Sequence, residues 1–351
     1  MALPCGTYNT RYEQAFAIFR TKTHWAMLVG LLVLLSMLPF VLNSYFLTVI
    51  NMMLITIIAV QGLNIVIGYC GQIHFGQAAF MAVGAYSSAL LMNHFGLSFW
   101  LCLPLAGIIT ALVGILFGLP SMRVKGIYLA LVTLAAQFII IYVIETPLQW
   151  LTGGQWALDT PAPQLWGFVF NTELELFYLI AGITVLMTFF AKNLARTRVG
   201  RNFVAVRDND IAAEVMGINI MRTKVLAFAI ASFYAGVAGS LWAHYTQAFT
   251  TTDFNLTQSI WFVGMLIVGG MGTIVGPILG TISITLLDQL VLMFTPTMAA
   301  TLPMLTVAQI SSIAMFAFAL VIIVFLVWEP RGLAHRWEIF KTSYRLWPFA
   351  Y

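Results

Sequence analysis

All sixteen Lys and Arg residues of this chain fall into four clusters, and the long stretches between them carry no cation at all. The clusters are Arg11, Arg20 and Lys22; Arg123 and Lys125; seven residues from Lys192 to Lys224; and Arg331, Arg336, Lys341 and Arg345. Between them, 61% of the 351 residues are hydrophobic and only 8% are charged, too few polar groups to clothe a water-soluble surface. The chain therefore reads as an integral membrane protein. In a bilayer, Lys and Arg of short loops collect on the cytoplasmic side, so neighbouring clusters must be separated by an even number of spans.

A crossing needs about 20 mainly apolar residues. Suitable runs lie near Trp25 to Leu42, Phe46 to Ile67, Phe75 to Met92, Phe99 to Leu119 and Ile127 to Ile144. Further runs lie near Leu176 to Ala191, Val225 to Tyr245, Gln258 to Val275, Ile278 to Leu292 and Leu305 to Trp328. Four, two and four spans then separate successive clusters. The predicted fold is an all-α polytopic membrane protein of about ten transmembrane helices, some discontinuous, with both termini cytoplasmic. Residues 1–24 form a cytoplasmic N-terminal segment, 25–328 the transmembrane domain and 329–351 a cytoplasmic tail. The first apolar run ends in Pro39, Asn43 and Ser44 without a small-residue cleavage signature, so it reads as a retained span rather than a signal peptide.

Three places interrupt the apolar pattern. The first is Gly68-Tyr-Cys-Gly71-Gln72-Ile-His74-Phe75-Gly76-Gln77. Its polar groups cannot all face lipid, where each unpaired one costs several kcal/mol. It reads as a discontinuous helix lining a solute path, or as an ordinary turn between two hairpin helices. Candidate path residues are Asn64, Gly71, Gln72, His74 and Gln77, with Thr152, Gly153 and Gly154 near the mouth on the opposite face. The second interruption, Gly269-Gly270-Met-Gly272 with Gly276, Pro277 and Gly280, places Gly272, Gly276 and Gly280 on one helix stripe that admits close approach of another helix. Its spacing is wrong for a dinucleotide fingerprint.

The third is the polar segment 192–224. Within it, Asp208 to Gly217 reads as a short helix with acidic residues at its N-terminal end and glycine closing the C-terminus. Ile211, Ala212, Val215 and Met216 give it an apolar face at helical spacing. That face either packs on the chain's own membrane domain or docks a cytoplasmic partner.

Several chemistries are missing from the sequence. No Walker A motif occurs, so the chain does not bind ATP through a P-loop, and there is no HExxH, nucleophile elbow or paired-cysteine motif. Cys5, Cys70 and Cys102 are too scattered for a metal site or disulfide framework and read as apolar filler. Nothing interleaves basic and aromatic residues as a nucleic-acid surface does. Asp288 is the clearest acid within a span, and one such acid is little for an ion-coupled carrier.

Taken in order, several blocks resemble the permease subunits of branched-chain amino-acid ABC importers, the LivM type of a superfamily that also serves urea, amides and sugars. They are Gly62-Leu-Asn64 through Gly71-Gln72, Gly76-Gln-Ala-Ala-Phe80, Gly84-Ala-Tyr86, Arg123 to Leu134, Thr152-Gly-Gly154, Gly200-Arg201, Arg207 to Ala213, Gly217 and Gly269-Gly-Met-Gly272. The resemblance runs from about Asn51 to Leu292 and departs from the family pattern at His74 and Gln77, at Gln137-Phe138 and at Gln155-Trp156-Ala157. It implies a membrane permease subunit, not an enzyme, in a bacterial inner membrane. Its partners would be two ATPase subunits that carry ATP and Mg, a second related permease or a copy of itself, and a periplasmic substrate-binding protein. The chain itself would bind no cofactor or metal. By this resemblance the ATPase-coupling residues are Arg207, Asp208, Asn209, Ala212, Ala213, Glu214, Gly217 and Asn219. The solute expected is a branched-chain or related amino acid, with urea or a short amide as the alternative. A self-sufficient channel or ion-coupled carrier is the contrasting class.

Overall fold

A long apolar run settles into helix because every backbone N–H and C=O is then satisfied inside the segment, with no call on surrounding solvent. In the computed structural model this happens along most of the described residues. The structure describes residues 22–122, 124, 126–165, 168–301, 316, 319–320, 322–325, 327–329 and 331–346. Cys5, Arg11, Arg20, Arg123, Lys125 and most of the expected last span lie outside the described residues.

Two units divide the chain, 1–49 and 50–351. The first holds α1 (Lys22–Val41), which contains Pro39, and the start of α2 (Ser44–Asn64). The second holds the rest of α2, a π-helical turn (Ile65–Tyr69), and then α3 (Gln77–Phe95), α4 (Phe99–Gly118), α5 (Ile127–Glu145) and the short α6 (Gln149–Thr152). After these come α7 (Glu173–Arg196), α8 (Arg198–Asp208), α9 (Asp210–Val215), α10 (Ile220–Thr246), α11 (Leu256–Gly269), α12 (Val275–Thr301) and α13 (Leu333–Leu346). Strand content is slight. Leu158–Asp159 pairs antiparallel with Ala248–Phe249, and Gln164–Leu165 with Phe168–Val169.

Among the described residues, six helices are long and apolar enough to cross a membrane: Ser44–Tyr69, α4, α5, α7, α10 and Val275–Met293 of α12. The chain is therefore a multi-pass membrane protein. Helix α11 is shorter than the expected span Gln258 to Val275, because Gly270 (φ 108°) turns the backbone out of the helix. Helix α3, less apolar than these six, is a full-length helix that owes its place to packing. Gln77–Ala82 and Gly84–Tyr86 are almost wholly buried, chiefly against α4, α10 and α5.

Small residues permit that packing. A Cβ on Gly84 would collide with the backbone of Gly236, and one on Gly239 with the carbonyl oxygen of Met81, so α3 and α10 touch backbone to backbone. The α11–α12 hairpin is built the same way. Gly269 faces Gly276 and Gly280, but Gly272 sits in the turn between the helices at φ 74° rather than continuing their stripe. Asp288 is half-buried in the middle of α12. At its N-terminus α7 carries a complete capping box, Thr172 with Glu175, and Glu173 beside it accepts from Asn51 (3.0 Å) and Tyr245 (2.8 Å).

Candidate functional site

The α2 helix does not simply end. Its last turn widens into the π turn, where the amides of Cys70, Gly71 and Gln72 bond back to the carbonyls of Ile65, Ile67 and Val66. Residues 70–76 are then non-helical until α3 begins at Gln77, so the interruption read from the sequence is a true break in a helix. A side chain at Gly71, at φ 69°, would meet Cγ of Arg207 at 2.7 Å.

Asn64 spends its amide on the α11–α12 turn: Nδ2 donates to the Thr273 carbonyl (2.7 Å) and Oδ1 accepts from the Gly272 amide (2.8 Å). Gln72 is buried and donates to the Cys70 carbonyl (3.3 Å). Deeper in the break lie the two residues with polar capacity to spare. His74, 1% exposed, is held between the rings of Phe80 and Phe228, each 5.4 Å away, with no partner for Nδ1. Gln77, fully buried, donates to the Ala59 carbonyl (2.8 Å) and leaves Oε1 without a partner. Buried polar atoms are nearly always paired, and His74 and Gln77, three residues apart, are polar neighbours of each other inside the break.

The first turn of α3 is capped from a distance, because Gly76 at the N-cap has no side chain to offer. Gln137 of α5 accepts from the Ala79 amide and the Ser259 hydroxyl, both at 3.0 Å, and donates to the Phe254 carbonyl at 2.7 Å. Ser259 accepts from Ala78, and Thr133 from Phe75. These side chains fix the far lip of the break. The sequence marked Gln137 only as a departure from a family pattern. Its signal was a lone amide in an apolar span, which must find partners wherever it is buried.

Thr152, Gly153 and Gly154 lie away from the break, in the turn that follows α5. The Thr152 hydroxyl donates to the Ile144 and Leu148 carbonyls and accepts from the Gly154 amide, while both glycines adopt positive φ. The hydroxyl is fully used within the turn.

In the segment 192–224, Asn209 caps α9 by accepting from Ala212 (3.0 Å), Gly217 at φ 82° closes it, and Asn219 caps α10 by accepting from Arg222. The helix is shorter than the sequence suggested, Asp210–Val215, because Asp208 still belongs to α8 and Asn209 breaks between them with extended backbone. Ala213 is buried and packs the helix down. Ala212 and Glu214 face outward, and Ile211, Val215 and Met216 are 71%, 82% and 82% exposed, so the apolar face is not absorbed by the chain's own fold. Arg207, at the end of α8, is exposed but reaches the break: Nη1 donates to the Gly68 carbonyl at 2.9 Å, while Nε and Nη2 grip Asp208 at 3.0 and 2.9 Å.

Comparison with known proteins agrees with this arrangement. A family model described as branched-chain amino acid transport system / permease component matches residues 45–327. The high-affinity branched-chain amino acid transport system permease protein LivM of Salmonella typhimurium is 30% identical, over 87% of this chain and 74% of that protein. LivM of Escherichia coli matches to the same extent, and a probable LivM of Methanocaldococcus jannaschii is 27% identical over 63% of this chain and 73% of its own length. The autoinducer 2 import system permease protein LsrC of an Enterobacter strain is 30% identical over 41% of this chain and 43% of its own. No solved structure matches. With most of its length under the family model, the chain belongs to the branched-chain amino acid transport system permease components, and is a membrane transport subunit rather than an enzyme.

Proposed function

We propose that this chain is the membrane permease of an ATP-driven importer in a bacterial inner membrane, and that it translocates a branched-chain or closely related amino acid. Two ATPase subunits bind beneath it and carry the ATP and Mg. A second related permease, or a copy of this chain, completes the pore, and a periplasmic binding protein delivers the solute. About ten spans bring both termini and the segment 192–224 to the cytoplasm.

The observation that carries this proposal is the exposed apolar face of Ile211, Val215 and Met216 on a capped helix outside the long apolar runs. Contiguous exposed apolar surface on a rigid element is what a protein partner covers. Arg207, Asp208, Asn209, Ala212, Ala213, Glu214, Gly217 and Asn219 build or flank that knob. For the solute path, His74 and Gln77 are the buried polar side chains inside the break, bounded by Asn64, Gly71 and Gln72 at one end of it. Thr152, Gly153 and Gly154 belong to the opposite mouth. The amino-acid solute is supported by the extent of the match to the LivM proteins, which exceeds that to the autoinducer 2 permease.

Purification of the chain with its neighbours tests the proposal. ATPases that co-purify, and leucine, isoleucine or valine uptake that requires them, are the expected result. Solute flux through this chain alone, without ATP, would make it a channel or carrier instead.

A further inference from the structure

The break and the segment 192–224 are 139 residues apart in sequence where Arg207 meets Gly68, and the Arg207 side chain bridges them. In an unbroken α-helix the Gly68 carbonyl would accept from the amide of Gln72. That amide donates to the Val66 carbonyl instead, at 3.0 Å, so the π turn strips Gly68 of its helical partner. The Arg207 guanidinium takes the empty place, a cation at the negative end of a helix.

The arginine lies at the surface, its side chain 37% exposed, with one face set against the break. Asp208 holds Nε and Nη2, which leaves Nη1 pointed at Gly68. Gly71 lies against the aliphatic stem, where a Cβ would be 2.7 Å from Cγ. A Cβ on Gly272 would be 3.0 Å from Nη1, and the Gly272 amide is itself fixed by Asn64. The broken helix, the α11–α12 turn and the end of α8 thus meet through two side chains, Asn64 and Arg207, set against backbone.

We propose that Arg207 is a positioning residue for transport: a strut that carries displacement of the segment 192–224 into the π turn, and so moves the lip of the break that holds His74 and Gln77. Its Nη1 holds the chain's own backbone, whereas Ile211, Val215 and Met216 face the motor. The proposal rests on the importer reading given above.

The test uses the complete complex, with its ATPases and binding protein, in proteoliposomes, and compares solute taken up per ATP hydrolysed. Misfolding lowers uptake and hydrolysis together, so this ratio does not move when a variant merely yields less intact complex. Arg207→Gln is expected to keep the ATPases bound and hydrolysing while the ratio falls roughly tenfold, the scale of a typical coupling between sites. Arg207→Lys, which keeps the charge and a donor but loses the grip on Asp208, should recover part of the loss. A wild-type ratio in either variant overturns the strut, and so does loss of the ATPases from Arg207→Gln, which would place Arg207 in the docking surface. If Arg207→Gln yields no complex, Arg207→Lys decides alone by the same ratio. Failure of the wild-type complex to couple ATP to uptake would instead bring down the importer reading, and the strut with it.

Discussion

His74 and Gln137 are both buried polar residues, and they make opposite predictions. Gln137 holds two donors and one carbonyl from three elements. Gln137→Leu strands each of them, at about 1–3 kcal/mol for a buried group left unpaired. Thermal unfolding in detergent should show a midpoint lowered by several degrees. His74 lies between two phenylalanine rings with Gln77 as its polar neighbour, so His74→Phe removes one buried polar group and keeps the packing. Its midpoint should match or exceed wild type while uptake slows or selectivity shifts. Unchanged uptake kinetics would move the solute path away from the break. The sequence shows both residues as polar intrusions, but not which one is satisfied. That depends on partners such as Phe254 and Ser259, more than a hundred residues distant from Gln137.

At the level of helices, the crossing of α3 and α10 is the contact least able to give. A Cβ at Gly239 has backbone in its way, while one at Gly182 in α7 meets nothing within 4 Å. Gly239→Ala should therefore lower the unfolding midpoint by several degrees and Gly182→Ala should leave it within about a degree, since overpacking a tight site costs roughly 1–3 kcal/mol. Equal effects would mean the two helices can slide apart. Helix positions were readable because apolar runs must close their own hydrogen bonds, and the break was readable from Gly68, Gly71 and Gly76. The π turn was not, because it preserves residue composition and changes only which carbonyl each amide finds. Nor was the early end of α11, since Gly269 and Gly270 could equally have continued a helix and only the close fit of Gly276 decides between them. The bond of Arg207 to the break was equally hidden: an exposed cation in a basic segment shows no preferred carbonyl until Gly68 is seen beside it.

For the molecule as a whole, cation placement predicts sidedness. Single cysteines at Lys192 and Arg336, in a background with Cys5 replaced, should resist an impermeant thiol reagent on intact cells and react once the cells are opened. Cysteines at Gly96 and Gln155 should react from outside. Lys192 and Arg336 labelled from opposite sides would break the even count of spans between their clusters and with it the ten-span layout. The exposed Ile211, Val215 and Met216 also have a consequence for supply in the cell. A copy made in excess of its companions carries an oily badge into the aqueous compartment, the kind of blemish by which surveillance proteases select orphans. On the importer reading, balanced synthesis of the subunits would then be a condition of this chain's survival as well as of its work.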